Sequence, residues 1–507
     1  MGCILSFDVG TTGLKTIVIS QEGRILKHCN IEYGIVQEQE GFAEQDPAVW
    51  WDAAVKSMQI VLTGEIRKEL RAIGVSGQFQ SLVMLDQNFN PLRKAILWCD
   101  RRGEEILPEI TNMVGGEKLL SITANPALSG SSVSFLLWVK RYEPHIYEQC
   151  RHIMLPHEYI RFRLTGECVT DVTSASSMQL LNVPERTWSR ELFRKLNLDD
   201  KITGPLLECG EIAGRTTARA RQETGIPEGI PVIAGGGDSV VSAVGTGVIR
   251  EGSCFTSIGT SGIICTNTDR IRTDRKGRVN TYCSAVPGKW AVITCSITSG
   301  FALKWMKENF CSIEMETAHN NHTDVYDEMS REASQIAAGS EGLLFLPYLM
   351  GDRTPHLNPD AKGVFLGASS CHTRSHFIRS VMEGAAYSLM DGISVLRELD
   401  IALDDYVLCG GGAKGSLWRG IIADIYGHAV STVQNDSGAA MGAAVLAAYG
   451  CGLYKTLEEA SGAMIKRNET NEFNQNNHET YMKYWEVYRN TYVRLEDIFR
   501  KLKEINA

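Results

Sequence analysis

Several common signals are absent from this chain of 507 residues. It has no apolar run long enough to cross a membrane, and no basic segment precedes an apolar stretch at its start, so the sequence predicts neither a membrane span nor a secretory signal. The formal net charge of −9 argues against nucleic acid or an anionic membrane as a partner. The fourteen cysteines are scattered without a C-x-x-C pair, so we expect reduced thiols in a cytoplasmic protein.

The P-loop phrase G-x-x-x-x-G-K-[ST] is also missing. A different short phrase occurs twice, as FDVGTTGLK at residues 7–15 and as SIGTSGI at residues 257–263. Each copy follows an apolar run and places Gly-Thr-Thr/Ser-Gly at a tight hairpin. Such a turn exposes backbone N–H groups and hydroxyls without bulky side chains, which suits a polyphosphate. The repeat predicts a nucleotide clamped between two duplicated domains of actin-like architecture.

Strand-like runs alternate with helical stretches throughout, which predicts an α/β fold. The chain is too long for one core, so we expect two domains, at residues 1–247 and 248–507. Asp46 followed by Pro47 predicts a helix start. Residues 82–85 and 95–98 predict a hairpin, residues 377–399 a long helix, and the polar stretch 467–478 a mobile loop.

Two aspartates are candidates for metal binding and for general-base catalysis. Asp8 closes the first strand, where its carboxylate can hold magnesium through water while Thr11, Thr12 and Lys15 meet the phosphates. The alternative is that Asp8 only caps a tight turn. The second copy of the phrase lacks this aspartate, which indicates a single metal site. Asp238 follows a strand and three glycines, a position suited to a general base for a hydroxyl nucleophile. The alternative is that this turn needs glycine for geometry alone.

A second glycine-rich turn, at residues 410–413, leads from a strand to a helix. Its bare backbone can lie against adenine and ribose, and the following helix offers N–H groups to phosphate. A turn of this kind alone is weak evidence, because it can also serve only to connect elements. The pairs His319/His322 and His372/His376 have metal-like spacing but no evident third ligand, so we do not expect a zinc site there.

Together, the phrases at residues 7–15, 44–47, 74–78, 235–238, 257–262, 351–355 and 410–413 resemble the FGGY family of carbohydrate kinases, in its xylulokinase-like branch. The resemblance covers essentially the whole chain. It implies two ribonuclease-H-like domains on either side of a catalytic cleft, with the sugar on the N-terminal side and ATP on the C-terminal side. It also implies ATP with Mg²⁺ and phosphoryl transfer to a hydroxyl of a sugar or polyol.

The same resemblance implies roles for individual residues. Asp238 is the proton acceptor, and Asp8 supports the metal and the phosphates. The implied sugar-binding residues are Gln78, Phe79, Gln80, Asp100, Asp238 and Ser239. The implied ATP-binding residues are Gly10, Thr11, Thr12, Lys15, Gly259, Thr260, Ser261, Gly410, Gly411, Gly412 and Ala413.

Three positions depart from the xylulokinase pattern. Phe79-Gln80 replaces the usual Met-His, Ser239 replaces Asn, and Phe135 stands where Lys is usual. The first two positions are those where the family meets its sugar, and glutamine offers a neutral donor and acceptor where histidine can carry charge. We therefore expect a kinase for a pentulose, with a tetritol, a ketohexose or gluconate as alternative substrates and a non-catalytic sensor as the alternative class. The sequence leaves the oligomeric state open, a homodimer included.

Overall fold

A computed structural model describes residues 2–506 of the chain. The strands are β1 Cys3–Val9, β2 Gly13–Ser20, β3 Ile25–Glu32, β4 Glu44–Gln45, β5 Leu70–Gly77, β6 Val83–Leu85, β7 Ala95–Ile96, β8 His152–Met154, β9 Thr170–Asp171, β10 Leu181–Asn182, β11 Thr187–Trp188, β12 Leu206–Leu207, β13 Ile212–Arg215, β14 Pro231–Ile233, β15 Gly236–Gly237, β16 Ser253–Ile258, β17 Gly262–Thr268, β18 Asn280–Cys283, β19 Trp290–Ser296, β20 Leu344–Leu346, β21 Val364–Leu366, β22 Asp405–Cys409, β23 Val430–Val433 and β24 Arg467–Asn471.

The α-helices are α1 Pro47–Val61, α2 Gly64–Glu69, α3 Leu107–Val114, α4 Gly116–Thr123, α5 Ser132–Tyr142, α6 Pro144–Gln149, α7 Pro156–Thr165, α8 Val172–Ser177, α9 Arg190–Lys195, α10 Ala218–Thr224, α11 Asp238–Gly245, α12 Gly300–Phe310, α13 Ser312–Asn321, α14 Val325–Ala333, α15 Arg374–Glu398, α16 Ser416–Tyr426, α17 Ala439–Gly450, α18 Leu457–Met464 and α19 Gln475–Asn506. Short 3₁₀ helices cover Arg102–Ile106, Asp200–Ile202, Ser340–Gly342 and Gly411–Lys414.

These elements form two compact units. Unit 1 comprises residues 2–250, 267–292 and 435–466, and unit 2 comprises residues 251–266, 293–434 and 467–506. The first unit is therefore not continuous in sequence, because α17 and α18 return to it from the last quarter of the chain.

The sheet of unit 1 has the strand order β13-β14-β5-β1-β2-β3. Strand β1 pairs antiparallel with β2 and parallel with β5, which in turn pairs parallel with β14. Both faces of β1 and β5 are buried, as their near-continuous apolar sequences require. Helices α1 and α7 pack on this sheet, and so does the small-residue helix α17, whose close approach needs glycine: a Cβ at Gly74 would lie 2.2 Å from the carbonyl oxygen of Ala443.

Unit 2 repeats the central pairing pattern. Strand β16 pairs antiparallel with β17 and parallel with β22, which pairs parallel with β23, and β23 pairs antiparallel with β24. The order β17-β16-β22-β23-β24 thus has the same sequence of directions as β2-β1-β5-β14-β13 in unit 1. Helix α15 is buried along most of its length and packs on β20, α12, α14 and α16. The α/β fold expected from the sequence, with a duplicated hairpin, is confirmed.

Several local predictions also hold. Asp46 caps α1 by accepting a hydrogen bond from the Ala48 amide at 2.9 Å, with Pro47 as the first helical residue. The long helix predicted at 377–399 is α15. The fourteen cysteines are free thiols, eight of them buried. In the part of the chain that the structure describes, no helix combines the length and the apolar character that crossing a membrane needs.

One local prediction holds in part and another is wrong. The chain folds back on itself between residues 82 and 98 through antiparallel bridges, Leu82 with Ile96 and Leu85 with Pro91, but the strands there pair with other partners, β6 with β8 and β7 with β4. The polar stretch 467–478 is not a mobile loop, because it begins with the edge strand β24 and enters α19 at Gln475. Its polar side chains bond to unit 2, as when Arg419 donates to Asn471 and Arg467 donates to Asp405.

Candidate active site

The first glycine-rich phrase forms the predicted tight turn in unit 1. The amide of Gly10 donates to the carbonyl oxygen of Gly13 at 3.0 Å, between paired strands β1 and β2. Three side chains hold this turn: Tyr33 donates to the Gly10 carbonyl at 2.7 Å, Gln45 to the Thr11 carbonyl at 2.7 Å, and Trp98 to the Thr11 hydroxyl at 2.9 Å. A turn fixed at so many points presents its remaining polar groups without reorganisation.

Asp8 lies beside this turn with Lys15 directly opposite on the neighbouring strand. Directly opposed residues of an antiparallel pair share a face of the sheet, so the carboxylate and the ammonium lie on the same side. Within the described residues, the Asp8 Oδ1 atom is buried and has no hydrogen-bond partner. One oxygen of a carboxylate is therefore left to meet a ligand.

Asp238 is the first residue of α11, and the two glycines directly before it, Gly236 and Gly237, form β15 along β5. Its Oδ1 atom accepts hydrogen bonds from the Ser239 amide at 2.6 Å and from the Ser239 hydroxyl at 3.2 Å. These contacts occupy Oδ1 and leave Oδ2 outside the hydrogen bonds from Ser239.

The pKa values of both carboxylates are raised, and the charge of Asp238 contributes to the shift of Asp8. Burial raises the pKa of Asp8 to about 7, and the charge of Asp238 adds to this rise, while Lys15 and His157 oppose it. Burial also raises the pKa of Asp238, against the hydrogen bonds from Ser239. Two like charges in a buried place favour either protonation or a nearby cation. The pair is thus suited to hold a proton or to face a divalent cation.

The predicted sugar-side residues lie next to Asp238. Within the described residues, Gln78 is buried and its Nε2 atom has no partner. The ring of Phe79 packs 5.3 Å from that of Tyr282, and Gln80 donates to the Tyr282 hydroxyl at 3.2 Å. Gln80 adopts a positive φ of 65°, which directs the chain away from β5 after Gln78. The segment therefore presents amide groups and an aromatic ring, which are groups that can contact a carbohydrate.

Asp100 is placed differently. Its carboxylate is buried and accepts from the Ala43 amide at 2.6 Å and from the guanidinium of Arg102 at 2.8 and 2.9 Å. Arg102 itself lies between the rings of Phe42 and Trp138. Both carboxylate oxygens of Asp100 are thus engaged by its own chain, and the contacts of this side chain give no support to a role in sugar binding.

The second and third glycine-rich turns come together in unit 2. Gly259 and Thr260 line a cavity of about 420 Å³ with Gly411 and Gly412. The close packing requires glycine, because a Cβ at Gly412 would lie 2.4 Å from Ile258. Ser261, Gly410 and Ala413 are immediate neighbours in the same two turns, as the bond from the Ala413 amide to the Gly410 carbonyl shows. The remaining lining residues are Ile258, Gly300, Phe301, Leu303, Lys304, Asp324, Tyr326, Asp327, Ser330, Met382, Lys414, Gly415 and Trp418.

Sequence reasoning missed several residues of these sites. Tyr282 lies in no phrase that marks it and reaches Gln80 from the distant strand β18. Trp98 ends the family phrase at residues 95–98, but its contact with the Gly10 turn was not predicted. The start of α12 at Gly300 was also missed, although its Ser-Gly pair is a signal for close approach to a turn; the Gly300 amide donates to the Gly259 carbonyl at 2.8 Å. A buried group of His157, Glu158 and Asp171 has a ligand set that suits a metal, but Arg161 lies 3.4 Å from Glu158 and supplies the positive charge.

Comparison with known proteins places the chain in a family. Residues 3–245 match the N-terminal domain of the FGGY family of carbohydrate kinases, and residues 254–451 match its C-terminal domain. The chain therefore belongs to the FGGY family and is an ATP-dependent carbohydrate kinase.

Its relatives narrow the branch. The chain is 32% identical to the xylulose kinase of Bacillus subtilis (strain 168) over 505 residues, which cover 99% of each protein. Among solved structures it is similar to the ligand-bound xylulose kinase of Lactobacillus acidophilus, with a TM-score of 0.90, 25% identity and coverage of 99% and 100% of the two chains. It is equally similar to the gluconate kinase of Lactobacillus acidophilus, with a TM-score of 0.90, 25% identity and coverage of 99% of each chain. The sequence relationship supports the xylulokinase-like branch.

Proposed function

We propose that this kinase transfers the γ-phosphoryl group of ATP to a hydroxyl of a pentulose, with Asp238 as the general base. The observation that carries the proposal is the pairing of Asp8 and Asp238 beside the turn at Gly10, with the amide and aromatic groups of residues 78–80 next to them. We further propose that residues 1–247, together with the segments 267–292 and 435–466 that fold into unit 1, form the sugar-side domain, and that the rest of residues 248–507 form the ATP-side domain.

The chemical step needs little beyond positioning and a proton acceptor. The substrate hydroxyl gives its proton to Oδ2 of Asp238 while its oxygen bonds to the γ-phosphorus and the bond from that phosphorus to the departing ADP oxygen breaks. Because burial raises the pKa of Asp238, its carboxylate is a stronger base than an exposed aspartate. Ser239 keeps the other oxygen of the carboxylate occupied and so fixes which atom faces the hydroxyl.

Asp8 fits a hydrated magnesium ion. Its buried Oδ1 has no partner within the described residues, and burial and Asp238 raise its pKa by more than Lys15 and His157 lower it. Mg²⁺ keeps several of its waters and takes few direct protein ligands, so one carboxylate oxygen suffices for contact through water. When bound, the ion would neutralise charge on the phosphates of ATP. Lys15, on the same face of the sheet, carries a fixed positive charge for the same phosphates.

For ATP, we propose two kinds of contact. Gly10, Thr11, Thr12 and Lys15 of unit 1, and Gly259, Thr260 and Ser261 of unit 2, contact phosphates through backbone N–H groups, hydroxyls and an ammonium. Gly410, Gly411, Gly412 and Ala413 border the cavity of about 420 Å³, in which Tyr326 and Trp418 supply aromatic surface for a purine. A cavity of this size with a few polar groups is typical of a small-ligand site.

The choice of sugar is open between neutral and acidic substrates. A gluconate kinase shares the fold as closely as a xylulose kinase does, so overall similarity does not separate the two. At the sugar side, Phe79 and Gln80 bring an aromatic ring and a neutral amide, and neither is a cation that would pair with a sugar carboxylate. These two residues favour a neutral ketose.

A coupled assay of ADP release tests the function. The panel contains D-xylulose, other pentuloses, a ketohexose, a tetritol and gluconate, each at several concentrations with ATP and Mg²⁺. We expect the highest kcat/KM for a pentulose. The highest value for gluconate would move the substrate class to sugar acids, and ADP release at background level with every compound would favour a non-catalytic sensor.

A further inference from the structure

The backbone directly before Asp238 is hydrogen-bonded to the hydroxyl of Thr173. The three residues before Asp238 are glycines, whose conformational freedom leaves the position of the following carboxylate to outside contacts. Arg161 donates to the Ala234 carbonyl, and the Ser76 hydroxyl donates to the Gly236 carbonyl at 2.8 Å. The last backbone N–H before that of Asp238 belongs to Gly237, and it donates to the Thr173 hydroxyl at 3.0 Å.

The Thr173 hydroxyl is itself oriented by a buried carboxylate. It donates its proton to Oδ1 of Asp171, so that a lone pair faces the Gly237 amide. Asp171 also accepts from the amides of Thr173 at 3.0 Å and Ser174 at 2.9 Å, and from the Ser174 hydroxyl at 2.6 Å. Burial alone would raise the pKa of Asp171, but the hydrogen bond and charge of His157, the charge of Arg161 and the hydrogen bond from Ser174 together outweigh it, so the pKa lies below its usual value. Asp171 is thus an ionised acceptor.

The backbone beside the Thr173 hydroxyl is also confined by close packing. A Cβ at Gly236 would lie 2.8 Å from the Thr173 hydroxyl oxygen, and one at Gly237 would lie 1.5 Å from the Phe79 ring. The segment 236–237 is therefore confined between Thr173 and Phe79. A loss of the bond on one side lets the glycine backbone relax, and Asp238 moves with it.

We propose that Thr173, oriented by Asp171, is a positioning residue that holds the Gly237 amide and thereby sets the carboxylate of Asp238 for proton transfer. This inference rests on the proposed function, because it assumes that Asp238 is the base. A displacement of about 1 Å in a reacting group costs up to about 10²-fold in rate. Binding of ATP involves other residues and is unaffected by such a displacement.

The test compares three variants of the full-length enzyme. Thr173→Val removes the hydroxyl at nearly constant volume, and Thr173→Ser retains it. Thr224→Val is the matched control, because the Thr224 hydroxyl is also buried in unit 1, donates to the Ala220 carbonyl at 2.7 Å and accepts from the Ile226 amide at 3.1 Å. The measurements are kcat, the KM values for sugar and ATP, and the midpoint of urea unfolding.

We expect Thr173→Val to lower kcat by about 10- to 100-fold with the KM for ATP unchanged within twofold. Thr173→Ser should retain at least half of the wild-type kcat. Thr224→Val should leave kcat unchanged even if its unfolding midpoint falls as far as that of Thr173→Val. The proposal is overturned if a folded Thr173→Val enzyme loses no more kcat than Thr224→Val, or if Thr173→Ser is as impaired as Thr173→Val. If Thr173→Val does not fold, Thr173→Ala is judged by the same criteria, and failure of both to fold makes Thr173 a structural residue and overturns the proposal.

Failure of the proposed function has a different signature. An inactive wild-type enzyme, or an Asp238→Asn enzyme as active as wild type, contradicts the role of Asp238 whatever Thr173 does. Failure of the positioning role alone appears as an active wild type and an inactive Asp238→Asn enzyme together with an unaffected Thr173→Val enzyme.

Discussion

The ring of Phe79 packs against the backbone of Gly237, so close that a Cβ added there would be 1.5 Å from the ring atom Cε1. Gly237 directly precedes Asp238, and Phe79 belongs to the segment that we assign to the sugar. One contact thus joins the proposed sugar site to the glycine that precedes the proposed base.

Gly237→Ala should therefore be strongly disruptive. The methyl group forces Phe79 or the backbone at Asp238 to move, and we expect a large loss of kcat together with a lower free energy of unfolding. Gly462→Ala is the control, since no atom lies within 4 Å of a Cβ at that position in α18. The double variant Phe79→Ala with Gly237→Ala should recover the unfolding free energy but not the activity. A Gly237→Ala enzyme with the stability of wild type would contradict this contact.

Asp238→Asn should abolish proton acceptance while leaving the fold intact. Asn keeps the shape of the side chain and an oxygen for the Ser239 bonds, so we expect KM values within a few-fold of wild type and a fall in kcat of about 10²–10⁴-fold. Asp46→Asn, at the exposed cap of α1, is the control and should remain fully active. Half of the wild-type kcat in the Asp238→Asn enzyme would remove this residue from the role of base.

The double change Phe79→Met with Gln80→His should alter the ranking of sugars. A site built on hydrogen bonds to substrate hydroxyls discriminates strongly, because a missing partner leaves a buried polar group unpaired. We expect the relative kcat/KM to shift toward D-xylulose with little change in the KM for ATP. Histidine tolerates the positive φ of position 80. An equal loss of activity with every sugar would instead show that the two residues only pack the end of β5.

Asp391 should make the protein less stable at high pH. Burial raises its pKa to about 7, far above its ordinary value of 3.8, although Trp485 donates to its Oδ1 at 2.9 Å. The folded state therefore retains a proton that the unfolded chain releases, and the free energy of unfolding falls as the pH rises from about 4 to about 7. At 1.36 kcal/mol per pH unit, this fall is of the order of 4 kcal/mol.

Asp391→Asn removes this titration and keeps an acceptor for Trp485. We expect its free energy of unfolding to exceed that of wild type at pH 8 by a few kcal/mol, with little difference at pH 4. Part of the pH dependence remains, because burial also raises the pKa of Asp352 to about 7. Asp497→Asn, at an exposed position on α19, should change neither value. Equal stability of the Asp391→Asn protein and wild type at pH 8 would contradict the raised pKa.

Much of the fold could be predicted because its signals are local. The repeated Gly-Thr phrase and the alternation of strands and helices depend on neighbouring residues, and both led to the observed pairing of β1 with β2 and of β16 with β17. Long-range partners could not be predicted in this way. The polar stretch beginning at Arg467 becomes a strand by pairing with β23, with side-chain bonds to Arg419 and Asp405, and Tyr282 reaches Gln80 from 202 residues away.

For the candidate site, the sequence indicated which residue types are present but not what surrounds each side chain in the fold. Asp8 and Asp238 were found from glycine-rich phrases, whereas no spacing indicated that Asp100 would be taken up by Arg102 or that Thr173 would lie behind Gly237. Burial and hydrogen-bond partners decide which of several aspartates can receive a proton, and both are properties of the folded chain.

The return of α17 to unit 1 has a consequence for synthesis on the ribosome. The Ser6 hydroxyl of β1 donates to the Ala440 carbonyl of α17 at 2.7 Å, across 434 residues of sequence. Until residue 450 has been translated and has left the exit tunnel, one apolar face of β1 and β5 has no helix to cover it. Unit 1 is thus the first unit whose synthesis begins, but it can complete its fold only when most of the chain has been made. A fragment that stops at Arg250 would expose a sheet face prone to association with other nascent chains.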